Sequence, residues 1–145
     1  MKNFLAIVVW VTGAALVSAG SAFGADTAAD AAQVKLQASS TADLRKSAAG
    51  AVGYQLSDIE VKSTAHQITV TVVNSKLNSG VAADRTGEVL KIVPAIERAI
   101  AGKAGFGQVM VIHVNYVKRL ETQTSLVQGF DFNKTPAGSF VLHRT

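Results

Sequence analysis

Between Asp58 and Asn74 apolar residues recur at every second position, whereas between Val89 and Ile100 they recur at steps of three and four. A strand turns successive side chains to opposite faces, and a helix gathers residues three and four apart onto one face. The first stretch, DIEVKSTAHQITVTVVN, therefore predicts a β-hairpin. Ile59 and Val61 oppose Glu60 and Lys62, and Ile68, Val70 and Val72 oppose Gln67, Thr69 and Thr71, with Ser63 to His66 as the turn. The second stretch, ADRTGEVLKIVPAIERAIAG, predicts the main helix, with Val89, Val93, Ile96 and Ile100 as its apolar stripe, Asp84 as N-cap and Gly102 as stop. Pro94 lies well inside it. Proline cannot donate its N–H and its ring clashes with the preceding turn, so a kink or break is predicted near Val93.

The remaining segments follow the same logic. Leu44, Ala48 and Val52 stand four apart in SSTADLRKSAAGAVG, which predicts a short helix capped by Ser40 or Thr41 and stopped by Gly53. The Ala-rich stretch ahead of it, residues 25–40, reads as a flexible lead-in or a loosely attached helix. NSKLNSG is a loop by composition. From Gln108 onward three strands are predicted. Met110, Ile112, Val114 and Tyr116 share one face of the first, Leu126, Gln128, Phe130 and Phe132 one face of the second, and Phe140 and Leu142 one face of the third, with NKTPAG as a turn. The order α-β-β-α-β-β-β gives a single α+β domain over residues 41–145, an antiparallel-rich sheet with two helices on one face.

The N-terminus bears on compartment. Lys2 precedes FLAIVVWVTGAALV, an uncharged apolar run, and SAGSAFG supplies the small residues of a cleavage site. Residues 1–24 read as a secretory signal peptide cut after Gly24. The apolar run is shorter than the ~20 residues that span a bilayer. The expected location is periplasmic or secreted. The chain has no cysteine, so in an oxidising compartment it folds without disulfides. Its formal net charge of +4 is mild, and the mature chain loses the charge of Lys2. No Lys/Arg cluster is interleaved with aromatics, and an exported chain is not expected to meet nucleic acid. Envelope proteins, anionic lipid or cell-wall polymers are the expected partners.

Candidate chemistry is sparse. If the bulky residues of every strand face the helices, the other face carries Thr69, Thr71, Val111, His113, Asn115, Asp131, Val141 and His143. Asp131 and His143 would be neighbours across the NKTPAG hairpin, with His113 on the strand before them. Two imidazoles and a carboxylate are a donor set for Zn²⁺ or another divalent metal, although the spacing matches no metal motif. The plainer reading is a solvated or partner-covered face, with Thr69, Thr71 and Asn115 as contact residues. Val111, Val127 and Val141 on that face would also suit a homodimer formed through it. GKAGFG follows a helix instead of opening one, so it is a helix stop and turn, not a phosphate loop. No resident cofactor and no catalytic residue are indicated.

Over residues 41–117 the order is helix, strand, strand, helix, strand, carried by DIEVKSTAHQITVTVV and IERAIAGKAGFGQVMVIHVNYV. This resembles the BON domain of bacterial envelope proteins over about half the chain. The second strand is followed by NSKLNSG where that family has a glycine, and two further strands come after Lys118. The resemblance implies association with membrane or envelope and assigns no functional residue. Three readings stand: a non-catalytic envelope-binding module, a metal-binding protein or hydrolase using His113, Asp131 and His143, and an inhibitor presenting NSKLNSG or NKTPAG to a foreign enzyme.

Overall fold

The computed structural model describes residues 25–143; the proposed signal sequence lies outside the described residues. Two helices, α1 (Ala25–Val52) and α2 (Ala82–Ile100), cover one face of a five-stranded sheet. The strands are β1 (Ile59–Ser63), β2 (Gln67–Val73), β3 (Val111–Leu120), β4 (Gln123–Lys134) and β5 (Phe140–His143), and their spatial order is their chain order. β1 and β2 form an antiparallel hairpin. α2 then crosses over the sheet and returns the chain to pair β3 parallel to β2. β3, β4 and β5 complete an antiparallel meander. This is the α+β class that the alternating and helical patterns predict.

Register explains the core. Val61, Val70, Val114 and Phe130 lie in one cross-strand row, and Ile68, Ile112 and Phe132 in the next. All are at most 9% exposed, and they meet Leu44 and Ala48 of α1 and Val89, Ile92, Val93 and Ile96 of α2. Removing that much apolar surface from water is the main stabilising term. Gly53 ends α1 with φ 71°, and Tyr54 N–H returns to the Ala49 carbonyl at 3.1 Å, closing a C-terminal cap that a Cβ would disfavour.

Several local expectations are corrected. α1 does not begin at Ser40 or Thr41 but runs back through the Ala-rich stretch to Ala25. Val81, not Asp84, is the N-cap of α2; Asp84 sits in the first turn. Pro94 neither breaks nor ends α2. It is solvent-exposed, so water can serve the Leu90 carbonyl that loses its helical donor. NSKLNSG contains a short 3-10 turn, Lys76–Ser79. Met110 precedes β3 and is 53% exposed, outside the core row it was expected to start.

Leu126 is the most informative correction. The ladder between β3 and β4 slips at Tyr116/Val117: Tyr116 faces Gln128, but Val117 faces Leu126. Val127 is therefore an extra residue, and beyond this bulge the faces of β4 exchange. Leu126 leaves the core row of Phe130 and Phe132 and stands 65% exposed.

Candidate functional site

The face of the sheet turned away from the helices is uncovered by any described element. Its central row runs Thr69, His113, Asp131, His143 across β2, β3, β4 and β5. His113 Nδ1 lies 2.6 Å from Asp131 Oδ1. An ionised carboxylate only accepts, so in this contact Nδ1 carries the proton, and in a neutral imidazole Nε2 is then the acceptor. His143 is opposite Asp131 in register, but among the described residues no three His, Asp or Glu side chains converge to hold a metal ion. The structure thus joins His113 to Asp131 as a pair, with His143 beside it in the row.

The neighbouring row holds Glu60, Thr71, Asn115 and Gly129. A Cβ on Gly129 would come within 3.1 Å of Asn115 Oδ1, so the glycine makes room for the amide over β4. At the end of this face Arg119 reaches from β3 over β2 to Glu60 on β1. Its two terminal nitrogens meet the two carboxylate oxygens at 2.7 and 3.2 Å. That hydrogen-bonded pairing holds the Glu60 carboxyl below its ordinary value, with burial opposing, and pushes the Arg119 guanidinium up. Thr69, Thr71 and Asn115 are half-buried, while Val141 is 53% exposed on the same side.

A second polar group lies on the helix side, at the end of the core near the 3-10 turn. Tyr116 Oη donates to Glu88 Oε2 at 2.6 Å, and Tyr54 Oη donates to the same oxygen at 3.3 Å and pairs with Ser75 Oγ at 2.6 Å. Arg85 donates from Nε to Gln128 Oε1 at 2.6 Å and from Nη1 to the Leu77 and Gly80 carbonyls at 2.5 and 3.0 Å. Burial first, and then the Glu88 carboxylate, pushes the Tyr116 phenol well above the ordinary tyrosine range. Tyr54 is raised too, again by burial first, with the Ser75 hydrogen bond opposing. These bonds fasten the 3-10 turn, α2, β3 and β4 together.

The sequence reading did not find this second group. Its trace was there: Arg85 and Glu88 each sit four residues before an inward residue of α2, Val89 and Ile92 respectively, and Tyr116 and Gln128 end inward rows. Charged residues on an inward stripe need buried partners. No family model matches the chain, and no curated protein and no solved structure matches it.

Proposed function

We propose that the chain is an exported, envelope-associated binding module that works without catalysis, and that the uncovered sheet face is its binding surface. One observation carries this reading. A face built from hydrogen-bonding side chains, Thr69, Thr71, His113 and Asn115, also carries the aliphatic side chains of Val111 and Val141. A core of apolar side chains within polar groups is the composition of protein-recognition surfaces. The acids on this face, Glu60 paired with Arg119 and Asp131 hydrogen-bonded to His113, favour a protein over anionic lipid. The similarity of element order to BON domains supports the envelope as the setting.

The test is capture from an envelope extract by the purified protein and by Thr71→Lys and Val141→Lys variants. A partner retained by the parent and lost by both variants is the expected result. A protein that elutes alone at every salt concentration, or binds equally well with both lysines in place, removes the proposal. Cosedimentation with anionic vesicles would instead point to lipid. The mass of the protein recovered from the periplasm should correspond to residues 25–145.

A further inference from the structure

The two edges of the sheet differ. β1 is an edge of only five residues, and it carries Glu60 and Lys62. Short length and charge are the usual guards against unintended strand pairing. On the other side, β5 pairs only with residues 131–134 of β4. From Gln123 to Phe130, β4 has β3 on one side and no described strand on the other. This stretch, QTSLVQGF, contains no charge and no proline. It is also where Leu126, 65% exposed, and Val127 stand out.

We propose that this edge pairs antiparallel with the same edge of a second copy, joining two sheets into one. The chain is positively charged overall, so two copies meet most readily along a neutral strip, and this edge is neutral along its whole free length. A two-fold antiparallel pairing along QTSLVQGF brings Leu126 and Val127 of the two copies together near the axis. The exposed aliphatic side chains then cover each other at the two-fold axis, and the free backbone groups of the edge gain partners.

This association is separate from the partner proposed for the open face, and the experiment distinguishes them. Sedimentation equilibrium of the purified full protein should show a monomer–dimer equilibrium. Leu126→Lys and Val127→Lys, each of which brings two like charges together near the two-fold axis, should weaken it by about tenfold or more. Val141→Lys, on the open face, should leave it unchanged. Hydrogen exchange gives a second readout that needs no variant: amides within residues 123–130 should slow as concentration rises. A parent protein that stays monomeric at high micromolar concentration overturns the proposal. So does a dimer that Val141→Lys dissolves and Val127→Lys does not, or exchange in 123–130 that is independent of concentration.

Discussion

Tyr116 and Glu88 meet where β3 passes under α2: a phenol with no exposed surface donates to a half-buried carboxylate at 2.6 Å. A hydrogen bond to a charged acceptor is worth more than one between neutral groups, and its loss leaves the carboxylate with less to offset its burial.

Tyr116→Phe should therefore lower stability by about 1–3 kcal/mol. Tyr54→Phe should cost less, since its contact with Glu88 is longer, at 3.3 Å, and its group is partly open to solvent. Urea unfolding followed by circular dichroism measures both. Equal losses for the two variants would contradict the ranking.

The same pair sets an alkaline limit. These are the chain's two tyrosines, so phenolate absorbance reports only them. Both are raised in the folded state above the ordinary 10.0. The folded protein thus holds protons that the unfolded chain releases, and stability present below about pH 10 is lost as pH rises beyond it. Tyrosinate absorbance of Tyr116 should appear together with loss of structure. Ionisation of both tyrosines near pH 10 in a protein that stays folded would contradict this.

At acid pH the relevant pair is Glu60 and Arg119. The Glu60 carboxyl is held below its ordinary 4.5, so its contribution is complete at neutral pH. It is lost as pH falls below that value and through the depressed folded one. Glu60→Gln should flatten this part of the acid limb, and added salt should shrink the difference, because the pair is partly exposed. Parallel acid titrations at two ionic strengths provide the comparison.

For His113, neutral imidazole should be the Nδ1–H tautomer, since Asp131 can only accept. Nitrogen-15 shifts read this directly. Asp131→Asn, whose amide can also donate, should mix the two tautomers. A parent spectrum dominated by the Nε2–H form would mean that the 2.6 Å contact is not maintained in solution.

Much of this architecture is written in side-chain periodicity. The β1–β2 hairpin is legible because Ile68, Val70 and Val72 alternate with polar residues and one face is wet. The same parity places His113 and Asp131 on a common face, and the register then puts them in one row with His143. Leu126 shows where periodicity stops. A bulge adds one residue without any mark in composition, so parity counted from Phe132 puts Leu126 on the wrong side. Pro94 misleads for another reason: its penalty depends on whether the orphaned carbonyl is dry, and burial is a tertiary property. The Tyr–Glu group was hidden because its members come from five separate segments, brought together only by the crossover of α2.

That crossover has a kinetic side. β3 is the strand that both halves of the sheet need, and its two pairings differ in how far the chain must travel. With β4 it closes through a tight turn; with β2 it waits for the whole of α2 to be spanned. Closing a longer loop loses more chain entropy before any contact compensates. The C-terminal meander can thus assemble ahead of the parallel seam, and the rate at which the protein becomes native should follow the docking of α2, with substitutions at Ile92 or Ile96 slowing folding more than those at Phe140.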